Sequence, residues 1–420
     1  MPKTHQDMEA GAFSDQDFMI DMTPDKPKHA FWDFVPEARE RLAIDRCFYF
    51  SLVASRTWPT SVEDGLKALL KDHSVTQNDI IVFDRCGEPV ARIKNYFFPI
   101  IAQIAAKNAV SVKRFFTVSQ TSALYDTHKF TGLLSWVPYH HYLRRVIATH
   151  HPLEIGEFGF TGLYDAPTQF LSLNRKLRPH RWILLRYLEG SSLNPKVLRS
   201  ELQYDLSNRL GGKEERGDAF TDEISDIIQT HFPSFQEFDL RRYLDQPLPS
   251  TSLLEDNGDD LIVNMNPVMA MPVKATKSSH LVIVTETEFE KGYPRVTEKT
   301  LKVIPYFRPF IVFGQAGTLK FLHDNGFQTF HPFIDETYDT ITDPDQRMRV
   351  LIDELHRLER VLDDHDARRK FLDGIKPILH HNAHHLKQAY QDIMDEKAIS
   401  ALLFGLDAAK IEESANPVRP

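Results

Sequence analysis

The sequence predicts an α/β protein built on parallel, doubly wound sheets. Two observations support this class: short apolar runs of strand length recur along the chain, and segments with helical signals separate them. Alternation of this kind is typical of a parallel sheet. The chain has 420 residues, of which 42% are hydrophobic. At roughly 150 residues per domain, this length predicts two or three domains.

The first series of elements follows a polar tail over residues 1–30 that has no hydrophobic periodicity. Apolar, aromatic runs predict strands over 47–54, 80–83 and 114–118. Helical patterns predict helices over 61–70 and 96–106. We assign residues 31–165 to a first α/β domain.

A second series predicts another α/β domain over 166–375. Its strands are predicted over 169–173, 280–284 and 310–313, and its helices over 179–188, 297–304, 318–325, 343–362 and 367–394. Residues 190–260 are rich in Asn, Gly, Ser and Asp, show weak helical patterns, and are interpreted as a long insertion or a variable layer. Residues 376–420 are expected to return as helices to the first domain and to end in a tail.

Charge and composition exclude several classes of protein. The formal net charge is −9, so general nucleic-acid binding is not expected. No run of ~18 uncharged apolar residues predicts a transmembrane helix, and the polar, acidic start lacks the pattern of a signal peptide. We therefore expect a cytoplasmic protein. Two cysteines, Cys47 and Cys86, make no disulfide framework.

A basic segment at a predicted strand-to-helix junction is the first candidate site. The run LSLNRKLRPHRWILLRYL (171–188) carries Arg175, Lys176, Arg178, His180 and Arg181 where the helix begins. Cations at the positive end of a helix cost stability unless an anion lies among them. The pattern therefore indicates a phosphate or diphosphate site. The alternative is a solvated basic loop that pairs with surface carboxylates.

The second candidate site is TETEFEKGYPRVTEKT (285–300), which follows the predicted strand HLVIV. Ligands of doubly wound sheets bind at the carboxyl ends of strands. Glu298 can accept bonds from the hydroxyls of a ribose, and Lys299 can meet a phosphate. Glu286 and Glu288 are further candidates. The alternative is helix capping, with Thr297 as N-cap and Glu298 favoured by the helix dipole.

Two other patterns are weaker. The turn Gly-Gln-Ala-Gly at 314–317 matches neither the dinucleotide fingerprint nor the GxxxxGK[ST] phosphate loop. The run HHNAHH places two i,i+4 histidine pairs on one helix, an arrangement that can bind zinc or nickel. No third ligand stands near them in the sequence, so we expect a solvated helix face and no metal site.

Together these segments resemble a known family. The run YPRVTEKTLKVIPYFRPFIVFG resembles the donor-binding signature of α-1,3-fucosyltransferases and of related proteins from bacteria, phages and large viruses. The run QFLSLNRKLRPHRWILLRYL resembles the strand and Arg-bearing helix that open the same domain. The run GTLKFLHDNGFQTFHPFIDETYDTITDPDQRM resembles the segment that follows the signature in viral and phage-type members. The resemblance covers about residues 168–360.

The resemblance implies the GT-B fold, with two facing Rossmann-like domains, and inverting glycosyl transfer without an essential metal or other cofactor. It implies that a nucleotide-sugar donor binds the C-terminal domain and that a glycan or other hydroxyl acceptor enters from the N-terminal one. GDP-fucose or another GDP-sugar is the candidate donor. Arg181 or Arg178, together with Lys299, matches the residues that neutralise the donor diphosphate. Glu298 matches the carboxylate that holds the ribose, and Glu286 lies where the family has a glutamate on the sugar side. Arg175 is a further candidate for the diphosphate, and Asn174 and Thr297 are further candidates for the ribose and sugar.

The acceptor hydroxyl needs a general base, which a carboxylate or histidine can supply. In this architecture the base is expected from the first domain, where the candidates are Asp84, Glu88, Asp126 and then His128. Two other functions stay open. One is a non-catalytic protein that binds a nucleotide sugar, and the other is a phage-type enzyme that glycosylates a modified nucleic-acid base.

Overall fold

The chain divides into two compact units, Met1–Arg144 with Tyr390–Pro420, and Arg145–Ala389. The second unit therefore starts before the predicted limit at 166 and extends beyond the one at 375. The return of residues 376–420 to the first domain stays a prediction. The computed structural model describes residues 47–51, 80–84, 103, 106–107, 115–119, 135–138, 160, 162–174, 177–201, 214–243, 271–290 and 294–394.

The first unit contains a parallel sheet in the order β1 (Cys47–Ser51), β2 (Ile80–Asp84), β3 (Phe115–Ser119) and β4 (Ser135–Pro138). The strands predicted over 47–54, 80–83 and 114–118 are confirmed over their described residues, and residues 52–54 and 114 lie outside these. Strand β4 was not predicted, because Ser135–Pro138 is too short to show a strand pattern. The predicted helix over 61–70 lies outside the described residues, and of the one over 96–106 only Gln103 and Ala106 are described, both helical.

The second unit contains another parallel sheet, made of β5 (Thr168–Asn174), β6 (Val197–Glu201), β7 (Ser279–Thr285) and β8 (Phe310–Phe313). The strand order is β6-β5-β7-β8. Every residue of β7 and β8 is buried. Parallel strands covered on both faces are near-continuous apolar runs, which is why HLVIV and FIVF could be recognised as strands.

Among the described residues, the α-helices that accompany this sheet are α1 (Pro179–Gly190), α2 (Glu214–His231), α3 (Val273–Lys277), α4 (Glu298–Leu301), α5 (Thr318–Asp324), α6 (Pro344–Asp363) and α7 (His365–Met394). Helix α6 shows why the sequence folds locally in this way. Asp343 is its N-cap and accepts from the Gln346 amide at 2.7 Å, and Pro344 occupies the first turn.

The interpretation of 190–260 as a long insertion or variable layer with weak helical pieces did not include a strand. This stretch supplies β6, which pairs with β5 from Phe170↔Val197 to Asn174↔Glu201, and it supplies the long helix α2. Strand β6 lies at the edge of the described sheet. Its sequence, VLRSE, has only two apolar residues, so it lacked the buried-strand pattern.

The core of the second unit includes buried apolar residues of the sheet and of helices α1, α6 and α7. Helix α6 buries Leu351, Leu355, Leu358 and Leu362, and α7 buries Leu372, Ile375, Leu379 and Leu386. This spacing places these apolar side chains on one face of each helix.

The two parallel sheets confirm the α/β class. Among the described helices, none has the length and apolar character needed to span a membrane.

Candidate functional site

The order of strands in the second sheet creates a topological switch point. From β5 the chain passes to β6 on one side and then to β7 on the other. The connections that leave β5 and β7 therefore diverge, and ligands of open α/β sheets bind in the crevice at this place. The two strand ends are joined here, because the Thr285 hydroxyl donates to Asn174 Oδ1 at 2.6 Å. The Asn174 amide nitrogen donates to Ser172 Oγ at 3.1 Å.

Helix α1 begins beside this point and presents an uncapped positive end. Its N-cap is Arg178, which makes no side-chain capping bond, and its first turn contains no acidic residue. The backbone N–H groups of a first helical turn carry partial positive charge. The exposed Arg178 guanidinium adds a full charge. This end of α1 thus has the character of an anion site.

Arg181 lies at the same end of α1 but turns inward. Its guanidinium donates to the carbonyl oxygens of Thr285 at 2.8 Å and Glu286 at 2.9 Å. Only 6% of Arg181 is exposed. The family resemblance implies that Arg181 contacts the donor diphosphate. The structure instead places this guanidinium against β7, because the last carbonyls of the strand need donors beyond the sheet ladder.

Arg181 is buried and has several charged side chains near it. Burial, and then the neighbouring Arg178 charge, lowers the pKa of Arg181 to about 10, against the opposing carboxylates of Glu286, Glu298 and Glu288. At neutral pH the guanidinium therefore stays charged. It supplies a fixed positive charge behind the exposed Arg178.

His180 completes the contact between α1 and the end of β7. Its Nε2–H donates to the Glu286 carbonyl at 3.0 Å, a tautomer assigned from this acceptor, and its ring stacks on Phe289 at 5.1 Å. Burial, reinforced by the positive charge of Arg181, holds the pKa of His180 well below its ordinary value of 6.5. His180 is therefore neutral at physiological pH.

The Glu286 carboxylate is occupied by groups of the protein. It accepts bonds from the Thr297 amide at 3.0 Å, the Thr297 hydroxyl at 2.5 Å and the Thr300 hydroxyl at 2.6 Å. Only 2% of Glu286 is exposed. The carboxylate that was matched to the sugar side therefore holds the start of α4.

Thr297, Glu298 and Lys299 form the start of α4. Thr297 is the N-cap, and its hydroxyl oxygen accepts from the Lys299 amide at 3.3 Å, as the capping alternative proposed. The Lys299 ammonium contacts Glu298 Oε1 at 2.8 Å and the hydroxyls of Thr287 and Thr297, each at 3.2 Å. Helix capping and a charged pair therefore coexist in one turn.

Glu298 is buried, with 5% exposed, while 24% of the Lys299 side chain is accessible. Burial by itself would raise the pKa of Glu298. The charge and the hydrogen bond of Lys299, with the charge of Lys302, outweigh burial and lower the pKa of Glu298 below 4.5.

Glu288, the remaining carboxylate of this segment, is engaged by Arg295. The guanidinium donates to both carboxylate oxygens, at 2.8 and 3.2 Å, and both side chains are largely buried. A bidentate pair of this kind has fixed geometry. It holds the two ends of the connection between β7 and α4 together.

The turn at 314–317 is closed by a carboxylate of the chain itself. Asp339 accepts from the amides of Leu319 and Lys320 at 2.9 and 3.0 Å, and its carbonyl accepts from the Gly317 amide at 2.7 Å. Gly317 has φ +85°, in the left-handed region that favours glycine. Asp339 therefore occupies the helix end where a phosphate would otherwise lie.

The histidines of α7 also serve packing. His381 and His385 donate from Nε2 to the carbonyls of Gly326 and Asn325, at 3.0 and 2.7 Å, and so cap the end of α5. His380 contacts the ring of Phe160 at 4.9 Å. Over the described part of the chain, no group of three His, Cys, Asp or Glu side chains is arranged to hold a metal ion.

Arg347 was missed by sequence reasoning. It lies in α6, is fully buried, and donates to the carbonyls of Ile341, Thr342 and Phe289. Its guanidinium also lies 4.5 Å from the Phe289 ring, and burial lowers the pKa of Arg347 to about 10. An arginine in a charged helix is usually exposed, so the sequence carried no signal that Arg347 would be buried and would donate to these carbonyls.

Several predicted site residues cannot be placed. Arg175, Glu88, Asp126 and His128 lie outside the described residues. Asp84 ends β2, where it pairs with Ser51 and Val118 in the sheet register, and its side chain is not described. The general base therefore stays a prediction.

Comparison with known proteins gives no family. No family model and no curated protein matches the chain. Among solved structures, the chain is similar to the N-terminal domain of trehalose-6-phosphate phosphatase from Candida albicans. The identity is 10%, the match covers 82% of this chain and 77% of that one, and the TM-score is 0.34. A similarity of this size supports no functional inference.

Proposed function

We propose that this protein is an inverting glycosyltransferase whose nucleotide-sugar donor binds at the switch point between β5 and β7. One observation carries the proposal. The two segments that resemble the donor-binding region of fucosyltransferases, 169–188 and 293–314, come together at this point. The link between them runs through Glu286, whose backbone carbonyl accepts from Arg181 and whose carboxylate accepts from the Thr297 amide. Nucleotides bind at such a point in other parallel sheets.

The charges support a diphosphate site. Arg178 is exposed at the positive end of α1, and the Lys299 ammonium is partly accessible at the start of α4. Arg181 stands behind them as a buried positive charge. Between Arg178 and Arg181, the exposed Arg178 is the better candidate for direct contact with the diphosphate. Arg181 acts on the diphosphate through the electrostatic field of its buried charge, and it holds the end of β7.

Glu298 is the candidate for the ribose hydroxyls. Its carboxylate now accepts from Lys299 at 2.8 Å. In the bound state we expect Lys299 to turn toward the diphosphate, which frees one carboxylate oxygen for a hydroxyl donor. Until the donor binds, the Glu298 carboxylate and the Lys299 ammonium therefore compensate each other's charge.

The reaction follows from these charges. The acceptor oxygen attacks the anomeric carbon from the side opposite the diphosphate, and a new C–O bond forms as the bond to the diphosphate oxygen breaks. The leaving diphosphate takes the bonding electrons, and positive groups fixed beforehand stabilise it. A base takes the proton of the acceptor. We propose Asp84, Glu88 or Asp126 for this base, within a GT-B arrangement of the two units.

A panel of nucleotides tests the donor site. Melting curves are recorded with GDP, UDP, ADP and CMP, because a ligand at 100 times its dissociation constant stabilises the folded state by about 2.7 kcal/mol. We expect a shift with at least one diphosphate, GDP first. No shift with any of the four would contradict the proposal.

Release of nucleoside diphosphate from GDP-fucose without an acceptor separates an enzyme from a binding protein. A glycosyltransferase hydrolyses its donor slowly, whereas a non-catalytic binding protein shows a melting shift and no release. Binding to DNA that weakens steeply with salt would favour the alternative of a nucleic-acid base as acceptor.

A further inference from the structure

Glu286 connects three elements at the switch point. Its amide donates to the Phe313 carbonyl at the end of β8 at 2.9 Å, and its carbonyl accepts from His180 and Arg181 of α1. Its carboxylate accepts three bonds from Thr297 and Thr300 at the start of α4. Every polar group of this one residue is thus bonded to the protein.

The carboxylate bonds determine where the start of α4 lies. Helix α4 has only four residues, and a helix this short has little stability of its own. The Thr297 hydroxyl donates to Glu286 and accepts from the amide and the ammonium of Lys299. A chain of bonds therefore runs from Glu286 through Thr297 to the Lys299 ammonium.

We infer that Glu286 is a positioning residue that sets the distance between the cations of α1 and the Glu298–Lys299 pair. The inference rests on the proposed nucleotide site. It replaces the sugar-side role expected for Glu286, because the carboxylate is buried and already accepts three bonds from the protein. Glu286 acts on a nucleotide only through Lys299 and Glu298.

A positioning role makes the effects of Glu286 and Lys299 dependent on each other. Removing the carboxylate by Glu286→Ala releases the start of α4, so Lys299 no longer stands at the diphosphate. We expect affinity for GDP to fall about tenfold, or about 1.4 kcal/mol. In a Lys299→Ala background the same change should cost clearly less than tenfold, because part of its effect runs through Lys299. Independent sites would add within about 0.5 kcal/mol and would leave the tenfold loss unchanged. Glu286→Gln keeps an acceptor for the Thr297 amide and should restore most of the affinity.

The experiment is a calorimetric titration with GDP of the wild type, Glu286→Ala, Glu286→Gln, Lys299→Ala and the Glu286→Ala/Lys299→Ala double variant. Glu354→Ala is the matched control, because Glu354 is a buried carboxylate whose partners are Asp335 and Arg357. Glu354→Ala should lower the melting temperature without changing affinity. Thr300→Val removes one donor to Glu286 and serves where Glu286→Ala does not fold.

Amide hydrogen exchange over 297–303 is measured on the same proteins without nucleotide. In Glu286→Ala, or in Thr300→Val, faster exchange confined to this segment is expected, because the Glu286 carboxylate holds it. Unchanged exchange would overturn the positioning role whatever the nucleotide result.

The titration separates the failure of this inference from that of the proposed function. A wild type that binds none of the four nucleotides overturns both. A wild type that binds GDP supports the proposed function. In that case, losses from Glu286→Ala and Lys299→Ala that simply multiply, or a Glu286→Gln variant as weak as Glu286→Ala, overturn the positioning role alone.

Discussion

Arg181 and Glu286 lie 105 residues apart in the sequence, and the Arg181 guanidinium donates to the Glu286 carbonyl at 2.9 Å. This bond joins the first turn of α1 to the end of β7. It also brings together two segments that are far apart in the sequence. The arginine nearest to the sheet is structural, and the exposed Arg178 faces outward.

Substitution of Arg181 is therefore expected to lower stability, and substitution of Arg178 is expected to weaken nucleotide binding. Arg181→Ala leaves two buried carbonyls without these donors, so the free energy of unfolding should fall by about 1–3 kcal/mol. Arg178→Ala should leave the melting temperature unchanged and weaken GDP binding. Denaturant unfolding and calorimetry of both variants measure the difference. Equal stability losses would contradict the assignment of the two arginines.

Glu298 is expected to contribute to nucleotide affinity. Charge-assisted bonds are worth roughly 1.5–3 kcal/mol each, so Glu298→Ala should weaken GDP binding at least about tenfold. Glu359→Ala is the matched control, because Glu359 is a buried carboxylate whose lysine partner, Lys196, also lies at 2.8 Å. If helix capping is the whole role of this turn, Glu298→Ala costs stability and leaves affinity unchanged.

The buried His180 predicts a pH dependence of stability. Its pKa in the folded state lies well below 6.5, because of burial and the charge of Arg181. Below pH 6.5 the unfolded chain therefore binds a proton that the folded chain does not. This site should remove up to about 1.4 kcal/mol of stability per pH unit as the pH falls toward the folded pKa.

His180→Gln keeps a donor for the Glu286 carbonyl and removes the titration. Between pH 7.5 and pH 5.5, the free energy of unfolding measured in urea should fall less in this variant than in the wild type. Parallel losses in the two proteins would show that His180 is protonated in the folded state.

Turnover is expected to be independent of added metal. The exposed Arg178, the accessible Lys299 ammonium and the buried Arg181 already place positive charge at the proposed diphosphate. Release of diphosphate from GDP-fucose should therefore proceed at the same rate in EDTA. Activity that is lost in EDTA and restored by Mg²⁺ or Mn²⁺ would refute this expectation.

The fold was predictable where local patterns decide it. The buried runs of β7 and β8, and the Asp-Pro start of α6, are visible in the sequence. Strand β6 was missed because an edge strand needs few apolar residues. Its place beside β5 depends on pairing with residues that precede it by 27 positions in register.

The sequence was enough to predict which segments form the candidate site. It was not enough to predict the direction in which each side chain of these segments points. The inward turn of Arg181 depends on carbonyls more than 100 residues away. Asp339 closes the helix start at Leu319 from 20 residues further on. Such partners follow from the packing of whole elements, which residue types and spacing do not specify.

The central claim is that a nucleoside diphosphate binds at the switch point between β5 and β7. Calorimetric titration of GDP into the wild type and into Lys299→Ala tests it most directly. Lys320→Ala serves as control, because Lys320 is an exposed lysine paired with Asp324 on α5. We predict binding to the wild type and to Lys320→Ala, and a loss of at least about tenfold in Lys299→Ala. Equal affinity in all three proteins would contradict the account.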